Sequence, residues 1–270
     1  TLDGKVWDPN SRGISDYDEK DFIDVYGEVI SYNGNLQLNI KQLRVAGEDE
    51  YNAADYMPTS EKSVDGMYAE LLGYVSRVEN PYLQQVLQYY FVKDEDFIKS
   101  FKAHSAAKSV HHGFAGGLLE HTLSVVKLCE YYVGAYPILN KDLLFTAAIC
   151  HDIGKTKELS TFPENDYTDD GQLLGHIVIG TEMMSDAIRE IPDFPPKLAS
   201  ELKHCILAHH GELEFGSPKK PALAEALALN FADNTDAKMQ TLIEVFKEKD
   251  TKEWLGFNRL FDSNLRKTSI

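Results

Sequence analysis

The nine histidines of this 270-residue chain all lie between His104 and His210, and this clustering constrains the fold more than any other sequence feature. Imidazoles gathered from separate segments are typical of a metal site, and the segments here have helical periodicity. In helical proteins such sites are built inside a bundle, from side chains on facing helices. The clustering therefore predicts a mainly α domain with a metal-binding interior.

Two adjacent pairs, His151-Asp152 and His209-His210, are each followed by a glycine within two residues. Neighbouring residues of an α-helix point about 100° apart, so both can face one site only where the helix stops. Glycine is common just beyond the last helical residue. Both pairs are therefore predicted at helix C-termini, where the backbone can present both side chains to one centre.

Imidazole and carboxylate ligands suit divalent metals such as Mn, Fe, Co, Ni or Zn. Asp233 lies in an apolar run, where an unpaired carboxylate is costly and a metal would serve as its partner. Asp236, three residues further along the same helical face, stays open as an alternative to Asp233. A lone histidine is more often a hydrogen-bonded polar residue than a ligand, so the hypothesis depends on the whole set. The candidate ligands are His121, His151, Asp152, His176, His209, His210 and Asp233.

The formal net charge of −16 argues against a general binder of polyanions. The stretch 97–119 is an exception, because it contains lysines and histidines but no Asp or Glu. We assign His104 to this basic stretch. His204 is predicted to be an ordinary polar residue, because it lies five residues before His209 and so about 140° round the helix. Bound divalent cations would add positive charge that the count omits.

Four segments of the chain differ in composition and periodicity. Residues 1–46 are rich in β-prone side chains and predict strands, with a tight turn at Tyr32-Asn33-Gly34-Asn35. Residues 47–62 are acidic and aperiodic and predict a linker. Residues 63–250 predict a helical domain. The tail, 251–270, is expected to pack back onto that domain.

Capping residues mark helix starts in the third segment. Ser63 is a predicted N-cap, and Asn80-Pro81 is a predicted pair of N-cap and first helical residue. One helix is expected to run from Pro81 to Val92, and a later one from Leu173 to Ile191. Residues 151–155 are expected to form a loop.

No stretch approaches the roughly 20 apolar residues that a membrane-spanning helix needs, so no membrane association is expected. Scattered cysteines without a CxxC pair are typical of a reduced, cytoplasmic protein. No signal peptide is visible, and an opening on Thr1 suggests a trimmed fragment. The oligomeric state stays open, with a homo-oligomer as one option.

The order of His121, His151-Asp152 and Asp233 resembles the HD superfamily of metal-dependent phosphohydrolases. The insertion of His176 and the pair His209-His210 is similar to its binuclear branch. Several phrases resemble the YhaM-type 3′→5′ exoribonucleases more closely, over 63–250 strongly and over 1–46 weakly. These phrases are HHGFAGGLLEH at 111–121, HDIGK at 151–155, GQLLGH at 171–176, HHGE at 209–212, GSP at 216–218 and ADNTDAKM at 232–239.

The resemblance implies an HD-domain helical bundle, preceded by a small OB-like β segment that begins in mid-barrel and is therefore truncated. It implies two divalent metal ions, with Mn²⁺ preferred to Fe, Co, Ni or Zn. One metal would be held by His121, His151, Asp152 and Asp233, and Asp152 would bridge to a second held by His176, His209 and His210. Asp152 and Lys155 would be the catalytic residues, with Lys155 facing the substrate phosphate. The substrate channel would be bordered by Lys108, His111 and His112.

The implied function is a metal-dependent 3′→5′ exonuclease that hydrolyses single-stranded RNA to nucleoside 5′-monophosphates through a hydroxide activated by two metals. Activity on DNA stays open. One alternative is a nucleotide or cyclic-dinucleotide phosphohydrolase on the same centre, although the GYP-type signature is absent after His210. A second is a catalytically silent HD module that binds nucleic acid, which is disfavoured because none of the candidate ligands is missing.

Overall fold

A computed structural model describes the chain as two compact units, Thr1–Met57 and Pro58–Ile270. The residues described are 2–18, 21–32, 35–47, 49–51, 56, 60, 62–108, 112–162, 164–248 and 251–269. Helices dominate the second unit and strands the first, so the expectation of a mainly α chain with a small β segment is confirmed. The division into four segments at the bounds given above stays a prediction.

The first unit contains a three-stranded sheet in the order β1-β3-β2. Strand β1 (Asp3–Val6) is parallel to β3 (Asn35–Val45), and β2 (Ile23–Tyr32) is antiparallel to β3. The register shifts at Gly27, where a β-carbon would lie 2.2 Å from the carbonyl oxygen of Asn39. Glycine is therefore required at this bulge, which bends the hairpin.

The tight turn predicted at Tyr32-Asn33-Gly34-Asn35 falls between β2 and β3, but Asn33 and Gly34 lie outside the described residues. Trp7 and Tyr26 are exposed within this unit, at 60% and 67%. Membership of the sheet in an OB-type barrel stays a prediction.

The second unit is a bundle of helices with a short C-terminal hairpin. Its α-helices, within the described residues, are α1 Val64–Ser76, α2 Pro81–Gln88, α3 Glu95–Ala103, α4 Gly117–Ala135, α5 Lys141–Cys150, α6 Lys155–Glu158, α7 Asp169–Leu173, α8 Gly175–Arg189, α9 Pro196–Leu207 and α10 Ala224–Glu248. A π-helical turn at Tyr89–Lys93, a 3₁₀ turn at Leu213–Phe215 and the strands β4 Gly256–Asn258 and β5 Ser263–Leu265 complete the described elements. None of the described helices is both long and apolar enough to cross a membrane.

The predicted helix starts are confirmed. The Ser63 hydroxyl accepts a hydrogen bond from the backbone N–H of Gly66 at 3.2 Å, which caps α1. The Asn80 side chain accepts from the backbone N–H groups of Tyr82 and Leu83, with Pro81 as the first helical residue. Each cap satisfies backbone donors that the helix itself leaves unpaired.

Helix α5 lies at the centre of the bundle. Every residue from Leu143 to Cys150 is buried, and α4, α9 and α10 pack against it. The aromatic ring of Phe145 is fully buried and lies edge-on to Tyr74 of α1. This central helix ends at Cys150, so the next two residues, His151 and Asp152, are delivered into the bundle interior.

Three expectations about element limits were wrong. The helix expected to run from Pro81 to Val92 leaves α geometry after Gln88 and continues as a π-helical turn. The helix expected from Leu173 to Ile191 is broken, because Gly175 has a φ of +73° that an α-helix does not accommodate. The loop expected at 151–155 is only partly a loop, since Lys155 begins the short helix α6.

The expectation that the tail packs back onto the helical domain stays a prediction. Residues of the tail form the antiparallel hairpin of β4 and β5, and two of the tail's aromatic side chains are exposed. Trp254 is 63% exposed and Phe257 is 62% exposed, with the guanidinium of Arg266 over the Trp254 ring.

Candidate metal centre

Five separate segments of the helical unit meet at one place. The His-Asp pair directly follows α5, and the His-His pair lies just beyond the end of α9, so the prediction that both pairs lie at helix C-termini is confirmed. The centre is completed by side chains from the first turn of one helix, the second turn of another and the middle of a third. The residues that meet are His121 of α4, His151 and Asp152 after α5, His176 of α8, His209 and His210 after α9, and Asp233 of α10.

Asp152 occupies the middle of this centre, with only 2% of its side chain exposed. Its Oδ2 lies 3.3 Å from Nε2 of His151 and 3.5 Å from Nε2 of His121. Its Oδ1 lies 3.4 Å from Nε2 of His176 and 3.6 Å from Nε2 of His209. The two oxygens of one carboxylate therefore face two different sets of imidazoles.

Two groups of ligand-type atoms are separated by that carboxylate. Within each group the atoms lie within 4.8 Å of one another, which is close enough for a single cation to contact all of them. Asp233 belongs to the first group, with Oδ1 3.1 Å from Nε2 of His121. The first group is His121, His151 and Asp233, and the second is His176, His209 and His210.

All five imidazoles are held in the same way. In two of them Nδ1 contacts a carboxylate oxygen: His121 contacts Oδ2 of Asp236 at 2.7 Å, and His176 contacts Oε1 of Glu158 at 2.9 Å. In the other three Nδ1 contacts a backbone carbonyl oxygen: His151 that of Ala148 at 2.8 Å, His209 that of Ile206 at 2.6 Å, and His210 that of Phe215 at 2.8 Å. Carbonyl and carboxylate oxygens only accept, so Nδ1 donates in each contact. The lone pair of each neutral imidazole is then on Nε2, the nitrogen available to a metal.

The polar atoms at the centre fit a divalent cation. Oδ1 of Asp152 and Nε2 of His176 and His209 are buried and have no hydrogen-bond partner within the described part of the chain. The Nε2 atoms of His121 and His151 lie 3.2 Å apart, close enough to share one proton or to contact one cation. Buried polar atoms without partners are costly, and a cation would satisfy them together. An imidazole and carboxylate donor set suits transition-type divalent metals.

The electrostatics of the centre keep its acids ionised. Burial lowers the pKa of His121, but hydrogen bonds to Asp233 and Asp236 outweigh it and raise this pKa to about 10. Burial raises the pKa of Asp152, but the charge of Lys155 together with the contacts from His151 and His209 outweighs it and leaves this pKa well below its usual range. The Nζ of Lys155 lies 2.7 Å from Oδ2 of Asp152, with 12% of the lysine side chain exposed. The same negative charge would attract a divalent cation.

Asp233 and Asp236 contact different nitrogens of His121, and His112, His121 and Asp236 form a further group of ligand-type atoms within 4.8 Å of one another. Asp233 contacts Nε2 on the side of the centre, whereas Asp236 accepts from Nδ1 on the opposite side of the ring. Oδ2 of Asp236 also lies 3.0 Å from Nε2 of His112, which is buried and has a φ of +58°. Asp236 and His112 therefore form a support behind His121.

Glu158 provides the equivalent support for His176, and the sequence reasoning missed it. Its Oε1 accepts from both the backbone N–H and the Nδ1 of His176, each at 2.9 Å. Burial raises the pKa of Glu158, but the contacts with His176 outweigh it and lower this pKa overall. In the sequence this glutamate follows three polar residues and resembles a solvated helix position. The one available signal was its place shortly after the His-Asp pair.

Three further residues named in the sequence analysis, His104, His204 and Lys108, are not among the side chains that meet at the centre. His104, which we assigned to the basic stretch, is 3% exposed and donates from Nδ1 to the carbonyl of Ser100 at 2.8 Å. His204 accepts from the backbone N–H of Ala222 at 2.9 Å, which confirms an ordinary polar role. Lys108 forms an ion pair of 2.5 Å with Asp166. His111 lies outside the described residues.

An open cleft of about 440 Å³ borders the centre. It is lined by His121, Lys155, His210, Glu212, Phe215, Asn230, Asp233, Asn234 and Ala237. His121 and Asp233 of the first group and His210 of the second therefore face a common space that a small anionic ligand could enter. Lys155 is the one lysine among the described residues that line this space.

This fold and centre define an HD-type, metal-dependent hydrolase, and residues 118–238 match the HD domain family. Over 242 residues the chain is 35% identical to "3'-5' exoribonuclease YhaM" of Geobacillus sp. (strain WCH70), covering 89% of this chain and 74% of that protein. Over 239 residues it is 36% identical to the protein of the same name from Bacillus velezensis, covering 88% and 75%. The chain belongs to the YhaM family of HD-domain enzymes. No solved structure matches it.

Proposed function

We propose that this enzyme is a 3′→5′ exonuclease that removes nucleoside 5′-monophosphates from single-stranded RNA. The observation that supports it most is the Asp152 carboxylate, whose two oxygens face two groups of imidazoles beside a cleft that contains a lysine. The relatives named as exoribonucleases match nine-tenths of the chain, which favours RNA as the polymer.

The residues at the centre suit two divalent ions. One would be held by His121, His151, Asp152 and Asp233, and the other by Asp152, His176, His209 and His210. When bound, such ions supply Lewis-acid charge to a phosphate and lower the pKa of a water molecule. We favour Mn²⁺, while Fe, Co, Ni and Zn suit the same donors.

The chain's own groups bind and orient the scissile phosphate. Lys155 is held in the cleft by Asp152 and keeps its charge, because the aspartate outweighs burial and raises the lysine pKa. It contributes a fixed positive charge next to the phosphate oxygens. Attack of water on phosphorus then breaks the bond to the 3′-oxygen of the preceding nucleotide, and the terminal nucleotide leaves with its 5′-phosphate.

A 5′-labelled oligoribonucleotide incubated with Mn²⁺-loaded protein tests this proposal. We expect a ladder that shortens from the 3′ end and releases 5′-monophosphates. Asp152→Asn should abolish the ladder, whereas Asp96→Asn, which changes the same charge at an exposed position of α3, should not. Full activity of Asp152→Asn, or no shortening with any of the five metals, would refute the proposal. The same sequence made as DNA tests the choice of polymer.

Hydrolysis of free nucleotides is the second candidate, because the cleft is small. Its volume of about 440 Å³ lies near the lower end of the range for small-ligand sites, roughly 300–1,000 Å³, and suits one nucleotide. Parallel incubation with nucleoside triphosphates and cyclic dinucleotides separates the two. Turnover of these compounds without oligonucleotide shortening would favour the second candidate.

A further inference from the structure

One aromatic side chain at the edge of the cleft has no role in the centre itself. Phe215, at the end of the 3₁₀ turn Leu213–Phe215, is 64% exposed and lines the same cleft as Lys155 and Asp233. It is the one Phe, Tyr or Trp among the described residues that line the cleft. Single exposed apolar residues are common on proteins, so exposure alone carries no conclusion. Exposure beside a phosphate-binding lysine is more specific, because nucleic-acid sites combine positive charge with aromatic rings.

The backbone around Phe215 is tied to the proposed metal ligands. The carbonyl oxygen of Phe215 accepts from Nδ1 of His210 at 2.8 Å. The backbone N–H of Phe215 donates to the carbonyl of Glu212 at 3.1 Å, and the carboxylate of Glu212 pairs with Lys220 at 2.5 Å. The backbone of the turn is therefore held at several points, and it needs little ordering when a ligand arrives.

Cleft size and ring placement together indicate what the ring would contact. A cleft of about 440 Å³ that contains Lys155 has room for a phosphate and one nucleoside. With the phosphate near Lys155, the base of the same nucleotide is the apolar group available to the ring. Bases of all four kinds have a π-face, so stacking would bind the terminal nucleotide with little regard to its identity.

We propose that Phe215 is the stacking surface for the 3′-terminal base of the substrate. This proposal rests on the proposed exonuclease function for its substrate and deepens it. It makes Phe215 a substrate-binding residue whose side chain acts on the base while its backbone holds His210. The two roles can be separated by substitution, since a change of side chain leaves the carbonyl in place.

Oligoribonucleotides that end in an ordinary or an abasic 3′ residue provide the kinetic test. For the wild type we expect KM to be roughly 5- to 150-fold lower with the ordinary end, the range for one stacked base. In Phe215→Ala the two substrates should have equal KM values. Stacking is present in both ground and transition states, so kcat should stay within about twofold. Metal content should be unchanged, because the backbone contact to His210 remains.

Phe257→Ala is the matched control, because Phe257 is similarly exposed at 62% and is not among the residues that line the cleft. It should retain the wild-type preference for the ordinary end. The proposal is overturned if Phe215→Ala retains that preference, or if Phe257→Ala loses it to the same extent.

A binding measurement separates failure of this proposal from failure of the proposed function. In metal-loaded Phe215→Trp, AMP should quench the added fluorescence at concentrations where ribose 5-phosphate does not, after subtraction of the wild-type signal. Equal effects of the two ligands overturn the stacking role. If the wild type shortens no oligonucleotide, the exonuclease proposal fails, and this measurement alone decides whether Phe215 binds a base.

Discussion

Glu158→Gln should weaken one of two metal sites and leave the other unchanged. The Oε1 atom of Glu158 accepts from the backbone N–H and from Nδ1 of His176, both at 2.9 Å. Glutamine has the same size and can still accept both hydrogen bonds, but it has no negative charge. The substitution therefore tests the charge behind the His176 ring and preserves its position.

The expected magnitude follows from the kind of hydrogen bond that is changed. A bond to a charged group contributes about 1.5–3 kcal/mol, and a neutral one about 0.5–1.5 kcal/mol. The loss for the Nδ1 bond is then about 1–1.5 kcal/mol, which corresponds to roughly five- to tenfold in affinity. Changes to groups that orient metal-bound histidines usually weaken binding about 10- to 100-fold, so we expect a loss of about tenfold.

Equilibrium dialysis of the metal-free protein against Mn²⁺ measures this effect. We expect the wild type to bind two equivalents, and Glu158→Gln to bind one with unchanged Kd and one about tenfold more weakly. Glu182→Gln is the matched control, because it removes the same charge from an exposed position on α8, the helix of His176. Wild-type binding of both equivalents by Glu158→Gln would refute the reasoning. Equal weakening of both would contradict the separation into two groups.

Three further substitutions test the rest of the centre and its frame. In the same dialysis, Asp236→Asn should weaken the other equivalent about tenfold, and unchanged affinity would exclude its supporting role. Asp152→Asn should lose both equivalents together, so retention of one at wild-type affinity would contradict its position between the groups. Gly211→Ala should lower the free energy of unfolding in urea by about 1–3 kcal/mol, because φ is +81° and the new β-carbon would lie 2.5 Å from the Asn230 amide. Gly73→Ala, with no atom within 4 Å of its β-carbon, is the control and should not destabilise the protein.

Local chemistry made much of this protein predictable from its sequence. The caps at Ser63 and Asn80 depend on hydrogen bonds within three residues, so their positions follow from short stretches of sequence. The placement of His151-Asp152 at the end of a helix follows in the same way from the periodicity before it and the glycine after it. Short motifs similar to those of the HD superfamily then related these local patterns to metal-dependent phosphohydrolases.

Element limits were less predictable where distant contacts compete with local preference. The last turn of the helix after Pro81 becomes π-helical, and the phenol of Tyr90 within that turn donates to the carbonyl of Met183 in α8. His104 was assigned to the basic stretch because its neighbours include lysines, but its side chain is buried. Its Nε2 lies 3.2 Å from the carbonyl oxygen of Leu159, 55 residues further along the chain, and no local pattern reports such a contact.

The sequence by itself determined the helical class, the two paired motifs and the set of side chains able to bind metal. Only the tertiary structure decided which of those side chains lie at each oxygen of Asp152 and which ones support a histidine from behind. Asp233 and Asp236 share a helical face and have the same chemistry, so spacing could not separate them. The packing of α10 against α4 places one at Nε2 and the other at Nδ1 of His121. The contact between Glu158 and His176 also depends on the tertiary structure, because the two residues lie 18 positions apart in the sequence.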